Sequence, residues 1–332
     1  MAGKLTYQQA GVDTRQAAAL AGRIGAMAAR TQWRHRLHQS FGLFAAAFDL
    51  SGYRAPVIVT GCDGVGTKLE LLLEHDLIET AGRDLVAMNV NDVLTTGGAP
   101  LLFLDYIGIA RLDAERIERL IAGMVSHLEP CGCILAGGET AEMPGMVPEG
   151  VIELAGFCIG CVEKDELIDP SSVRSGDVVV GYPSDGPHAN GWSLVRRVLR
   201  EHPQSIADAD WPALLAPTRL YHDVVADLRA AGVRPRALAH ITGGGLPENL
   251  GRVMPAGCGA ELVVPPWTLP GIGAILAHVE PADQPHTFNM GIGWVAVVGA
   301  GDVDAALRAG PGGRTLGQVA AGDGVRVRIG DE

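Results

Sequence analysis

The sequence predicts a two-domain protein of the α/β (α+β) class, on three observations. Short valine-, isoleucine- and leucine-rich runs alternate with stretches whose apolar residues recur at helical spacing, the pattern of strands feeding helices. Forty-five glycines in 332 residues supply the turns and close backbone approaches that such alternation needs and a helical bundle does not. Around KDELIDPSSVRSGD, residues 164–177, the chain turns polar and gains Pro170 and Gly176, and beyond it the alternation restarts. The domains are therefore placed at 1–168 and 169–332.

In chain order, Ala17, Leu20, Ile24 and Met27 mark an amphipathic helix over 14–30 behind Asp13 as a cap, with a packing role. PVIV begins a strand at 56–61 that leads into the Asp63 loop. LVAMNVNDVLTTG from Leu85 fits a helix carrying Asp92 and ending at Gly97 and Gly98. LLFLDYIGIA is a buried strand, 114–128 a helix with Ile117, Leu120, Ile121, Met124 and Leu128 on one side, and CILAG a further strand. In the second half DVVVGY, RALAHI, GAELVV, MGIGWVAVVG, TLGQVA and VRVRI read as strands. NGWSLVRRVLR and APTRLYHDVVADLRAAG read as helices, with shorter ones near 271–278 and 302–309, and EHPQSIADADWP as an exposed insert.

Hydrophobic residues make up 47% and charged residues 19%, ample for two cores and unlike a disordered chain. A net charge of -12 argues against nucleic-acid or anionic-membrane surfaces and leaves small molecules as partners. No apolar run approaches the roughly 18 residues of a membrane span, and the polar start lacks a signal-peptide core, so the expected compartment is the cytoplasm. Of six cysteines, Cys158 and Cys161 lie in a strand, where residues three apart face opposite ways and cannot chelate together. Buried reduced thiols are expected.

Two segments carry the chemistry. DGVGTK, Asp63 to Lys68, follows an apolar run, and Gly64 and Gly66 let its backbone turn around an anion with Lys68 as a point charge. The lysine follows Thr67 instead of preceding it, so the loop is not a Walker A motif. GGETAEMPG sets Gly137 and Gly138 directly after a strand, then Glu139, Thr140 and Glu142; Glu139 is read as the ligand and Glu142 as structural. Asp63, Asp92 and Glu139 would repel a triphosphate directly, so they imply a divalent cation, magnesium, between carboxylates and phosphates. SDGPHANGWS places His188 and Asn190 in a turn at a helix start, where a neutral histidine can orient a substrate or move a proton. ITGGGLPENL sets Thr242 and the amides of Gly243, Gly244 and Gly245 as a phosphate nest, with a plain strand-to-helix turn as the alternative. TFNMGIG carries little weight alone.

LTYQQAGVD, DGVGTK, DLVAMNVND, GGETAEMPG, AGFCIGCVEKDELID, GPHANGWSLVR, LLAPTRLY, ITGGGLPEN and TFNMGIG, in this order and over nearly the whole chain, resemble the phosphoribosylformylglycinamidine cyclo-ligase (aminoimidazole ribonucleotide synthetase) family. The resemblance implies a homodimer whose N-terminal sheets pair into a barrel, with a C-terminal α/β domain completing the active-site groove. It implies that ATP, with Mg2+, phosphorylates the formyl oxygen of formylglycinamidine ribonucleotide, and that the amidine nitrogen then closes the imidazole ring. On the motifs, Asp63, Asp92 and Glu139 would bind metal and Lys68 the phosphates, with Gly64, Gly66, Thr67, Gly137, Gly138 and Thr140 around the nucleotide. His188, Asn190 and Thr242 to Gly245 would meet substrate.

The chain departs from that family in one region. Members carry a glycine-rich segment after the first helix, whereas WRHRLHQSFGLF stands at 33–44, with Gln39 and Ser40 at glycine positions and Gly25 in place of a lysine. Arg34 and Arg36 offer charge nearby. The alternatives these departures raise are a paralogue activating a different amide oxygen and a non-catalytic Mg-nucleotide-binding dimer.

Overall fold

The computed structural model describes residues 14–31, 37 and 44–330. Asp13 and the 33–36 and 38–43 stretch lie outside the described residues. The described chain divides into two compact units: Leu69–Val90, Ala99–Lys164 and the chain up to Val65 form the first, while Gly66–Lys68, Asn91–Gly98 and everything from Asp165 form the second.

The first unit contains α1 (Thr14–Ala28), β1 (Pro56–Gly64), α2 (Lys68–Glu74), α3 (Ile78–Leu94), β2 (Ala99–Ile109), α4 (Ala114–Cys131), β3 (Ile134–Glu142) and β4 (Ile152–Glu163). Lys68 and the end of α3 are grouped with the second unit. The sheet order is β1-β4-β2-β3, parallel between β2 and β3 and antiparallel elsewhere. Asp113 caps α4 by accepting from Arg116 N at 3.1 Å, and Gly132 ends it at φ +66°, a left-handed position that favours glycine.

Helix α3 starts at Ile78, seven residues before the expected start. The reason lies in Gly82, which lowers helix propensity but brings α3 and α4 backbone to backbone. A Cβ on Gly82 would overlap Leu120 O, and one on Gly123 would overlap Glu79 O. Arg119 ties the start of α3 from outside, at 2.6 Å from Glu79 and 2.7 Å from Asp76, and this hydrogen bond holds the Glu79 carboxyl below its usual range. Two predicted boundaries also move along the sheet. Strand β1 continues through Asp63, and β3 continues through Gly137, Gly138 and Glu139, because ladder pairing with β4 and β2 overrides the turn preference of glycine. Leu37 forms an isolated bridge with Phe48.

The second unit contains β5 (Val178–Pro183), α5 (Trp192–Glu201), α6 (Trp211–Leu214), α7 (His222–Ala230), β6 (Ala237–His240), α8 (Gly245–Gly251), β7 (Cys258–Val264), α9 (Ile272–Leu276), α10 (Gln284–Thr287), β8 (Ile292–Val298), α11 (Val303–Arg308), β9 (Arg314–Ala321) and β10 (Gly324–Ile329). Its sheet order is β10-β7-β9-β5-β8-β6, with only β10 and β7 parallel. Every residue of β8 is buried, as a central strand between covered faces requires. The expected helix over APTRLYHDVVADLRAAG is confined to His222–Ala230, since Pro217 and the preceding residue disfavour helix. The insert 201–212 is mostly exposed but buries Ile206. All six cysteines are free; Cys133, Cys158 and Cys161 are buried as expected, whereas Cys62 is exposed on β1.

The glycine contact between α3 and α4 yields a prediction. Gly123→Ala forces a methyl into the Glu79 carbonyl and costs about 1–3 kcal/mol, as overpacking does, lowering the thermal midpoint by several degrees. Calorimetry that finds no change would show that the helices separate without penalty.

Candidate active site

In the first unit, Asp63 sits at the end of β1 with its backbone clamped by a side chain that sequence reasoning missed. Asn89 Oδ1 accepts from Asp63 N at 2.9 Å, and Asn89 Nδ2 donates to Asp63 O at 3.1 Å and to Leu85 O at 2.8 Å. Asn89 is fully buried, so both ends of its amide are committed. The Asp63 carboxylate accepts from Gly64 N at 2.7 Å and is half-buried.

Asp105, in the middle of the apolar β2, is a second missed residue; a charged side chain inside LLFLDYIGI was the available signal. Its carboxyl is buried and pairs in register with Gly138 on β3 and Gly156 on β4. A Cβ on Gly138 would stand 2.5 Å from Asp105 Oδ2, so the missing side chain makes room for a carboxyl. Burial pushes the Asp105 pKa up to about 7, opposed by backbone hydrogen bonding and reinforced by the Glu139 charge. Glu139 itself is exposed. Both line a cavity of about 900 Å³ together with Thr140, Cys62 and α1 residues Leu20 and Ile24. Glu142 accepts from Leu112 N at 2.9 Å, the structural role expected of it.

In the second unit, Lys68 departs from its expected place. It is fully buried, donates from Nζ to Ala216 O at 2.8 Å, and lies 5.7 Å from the Trp192 ring centroid, a cation–π distance. As placed, it anchors the Gly66–Lys68 turn instead of presenting a charge to phosphate. Gly66, at φ +65°, is the residue of that turn that needs glycine, and Thr67 Oγ1 lies 3.1 Å from Ser193 Oγ.

His188 departs likewise. It is fully buried, with φ +60°, and its Nε2 is 3.5 Å from Arg219 N, while its carbonyl accepts from Trp192 Nε1 at 2.7 Å. Burial, then the neighbouring His240, Lys68 and Arg219 charges, hold its pKa well below the usual imidazole range. Asn190, two residues on, is half-buried, and a Cβ on Gly243 would meet its Oδ1 at 3.4 Å. The HANG and TGGG loops are thus neighbours.

The TGGG loop is tied from within. Asn249 Nδ2 donates to the carbonyls of Thr242, Gly243 and Gly245 at 3.3, 3.1 and 2.8 Å, and Gly245 N donates to Thr242 O at 3.0 Å. The Gly245 amide is therefore spent internally, and the Glu248 side chain lies against Gly244; the expected three-amide nest reduces to Gly243 and Gly244. Asp92, on the last turn of α3, is half-exposed and lies 2.9 Å from His240 Nδ1.

Among the described residues no three His, Cys, Asp or Glu side chains form a metal cage. Asp63, Asp92 and Glu139 are hard oxygen donors that keep surface exposure, and magnesium takes only one or two carboxylates, completing its shell with phosphate oxygens and water. Each of the three is by its chemistry a suitable donor for that ion.

The AIR synthase related protein N-terminal domain matches residues 45–162, and its C-terminal domain matches 174–330. The chain belongs to the AIR synthase related family. Of curated family relatives, the phosphoribosylformylglycinamidine cyclo-ligase of Synechococcus sp. is 44% identical, covering 91% of each chain. The protein of the same name from Xanthomonas campestris pv. campestris is 44% identical over 98% of this chain and 100% of the relative. Two solved structures share the fold: E. coli HypE, a hydrogenase maturation protein, with TM-score 0.67 at 16% identity over 95% and 93% of the chains, and thiamine-monophosphate kinase from Stenotrophomonas maltophilia, with 0.66 at 17% over 91% and 94%.

Two predictions follow from the buried charges. Asp105 titrates near 7 when folded against an ordinary 3.8, so the folded state holds a proton that the unfolded chain has lost between about pH 4 and 7, and stability falls as pH rises through that window. Asp105→Asn removes this dependence, gaining up to about 4 kcal/mol on wild type between pH 4 and 8 in metal-free urea melts; parallel profiles would contradict the buried assignment. Lys68→Met orphans the Ala216 carbonyl and lowers unfolding free energy by about 1–3 kcal/mol. An unchanged denaturation midpoint with weakened nucleotide binding would return Lys68 to the phosphates.

Proposed function

We infer that this chain catalyses the ATP-dependent conversion of formylglycinamidine ribonucleotide to aminoimidazole ribonucleotide, a step of purine biosynthesis. The observation that carries the reading is the 44% identity to phosphoribosylformylglycinamidine cyclo-ligases over 98% of the chain, with both family domains present. The departures at Gln39 and Ser40 lie outside the described residues, and the Gly25 substitution falls on the half-buried side of α1.

In this reading the formyl oxygen of the substrate bonds to the γ-phosphorus of ATP and ADP leaves. The amidine nitrogen then attacks the activated carbon, gives up its proton, and the oxygen departs with inorganic phosphate. An amide oxygen is a poor leaving group until phosphorylated, which accounts for the ATP requirement, and ring closure gains from holding both ends of one molecule in place. Magnesium, when bound, supplies charge neutralisation at the phosphates. Asp63, Asp92 and Glu139 would hold it, with Gly64, Gly66, Thr67, Gly137, Gly138 and Thr140 beside the nucleotide. Asn190, Thr242, Gly243 and Gly244 would face the substrate, while His188 supports their loop from beneath. A homodimer is supported by the open face of the first sheet, where Ile58 is 50% and Phe157 40% exposed, apolar area that a second copy would cover.

A coupled assay with Mg-ATP and formylglycinamidine ribonucleotide, following ADP and aminoimidazole product together, is expected to show equal and substrate-dependent formation of both. ATP binding without product would favour a paralogue acting on another amide. Asp63→Asn is expected to abolish turnover by at least about 100-fold, within the range of lost transition-state charge stabilisation, with circular dichroism unchanged; full turnover would remove Asp63 from the metal site.

A further inference from the structure

Asp92, read above as a magnesium contact, is held by a chain of buried groups that dictates where a proton sits. Its Oδ1 is 2.9 Å from His240 Nδ1, and the histidine side chain is 2% exposed against 43% for the aspartate. The state of the ring follows from Asn91. Tyr221 N donates to Asn91 Oδ1 at 3.1 Å, and Asn91 Nδ2 donates to Arg219 O at 2.8 Å; the two backbone partners fix which end of the amide is oxygen. The same Nδ2 faces His240 Nε2 at 3.4 Å. A donor facing Nε2 calls for a lone pair there, so the ring proton is on Nδ1 and points at the Asp92 carboxylate.

We propose that His240 is a positioning residue for Asp92: Asn91 imposes the Nδ1–H tautomer, and that N–H occupies one carboxylate oxygen and locks its rotamer, leaving the other oxygen oriented for the magnesium-bound nucleotide. Trp294 and His188, with ring centroids 6.2 and 6.5 Å away, flank the imidazole. The arrangement matches the general use of a buried hydrogen-bond partner to orient a ligating group, whose loss costs roughly 10- to 100-fold in metal affinity. The inference rests on the magnesium reading of Asp92, and the experiment separates the two.

ADP affinity is measured by calorimetry with excess magnesium and with EDTA, for wild type, His240→Leu, His240→Asn, Asp92→Asn and His240→Leu/Asp92→Asn. His240→Leu is expected to lose about 10-fold or more of the magnesium-dependent gain and none of the metal-free affinity. His240→Asn, which retains an N–H at the Nδ1 position, stays within about threefold, and the double variant is no worse than Asp92→Asn. Equal losses with and without metal, or identical behaviour of the Leu and Asn variants, would overturn the positioning role. An unaffected Asp92→Asn would overturn the magnesium reading beneath it. Independently of any variant's folding, nitrogen-15 spectra of histidine-labelled metal-free protein are expected to show a ring protonated at Nδ1 and bare at Nε2; finding only Nε2–H rings would sink the proposal.

Discussion

The loops of this molecule depend on one constraint, that an amide buried away from water must find a partner at both ends. Four asparagines meet it, all at most 4% exposed, and each does so by binding the backbone of a segment singled out for function. Asn89 clamps Asp63, Asn91 holds Arg219 and Tyr221, and Asn249 gathers the carbonyls of the triple-glycine loop. Asn289 donates to Gly186 O at 2.9 Å and accepts from Gly291 N at 2.9 Å, fixing the turn that leads to His188. Leaving one such group unpaired costs about 1–3 kcal/mol. Glycine loops that would otherwise sample many conformations are thus held in one, and the order is supplied by side chains that touch no ligand.

The same constraint explains why charged residues of catalytic type lie inside. Lys68 exchanges hydration for the Ala216 carbonyl and the Trp192 face, and burial disfavours the charged form of His188. Both residues take part in the second unit's packing around Trp192 and Tyr221. The turn after Asp63 and the loop before Asn190 are each pinned by one buried residue.

Much of this was legible in the sequence. Apolar periodicity located α4, α5 and most strands, because amphipathic spacing is a direct consequence of facing a core. The glycine pair at 137 and 138 was expected directly after a strand, yet it lies within β3, since a strand interior tolerates glycine where a neighbour such as Asp105 needs the missing side chain's volume. The start of α3 was hidden for a related reason: Gly82 lowers the helical signal while making the helix packing possible. Asp63, Asp92 and Glu139, singled out by residue type, retain access to solvent. The burial of Lys68 and His188 was not legible, because burial is decided by contacts far away in sequence, and Asn89, Asn91, Asn249 and Asn289 looked like ordinary polar residues within apolar stretches.

Electrostatics joins these threads. A protein of net charge -12 that binds a nucleotide triphosphate must offset repulsion that is long-ranged at low salt. Lys68 is engaged inside the second unit, and Arg219, 14% exposed, commits a guanidinium nitrogen to Pro183 O at 3.1 Å. The carboxylates that remain accessible, Asp63, Asp92 and Glu139, add to the repulsion when bare. Such a set favours a phosphate ligand only with a cation between them, and the sign of the interaction then reverses, because each carboxylate that opposed the nucleotide now helps to hold its counter-ion. In the proposed magnesium reading, the accessible acids would make nucleotide binding conditional on the metal, a condition that a surface lysine in their place would remove.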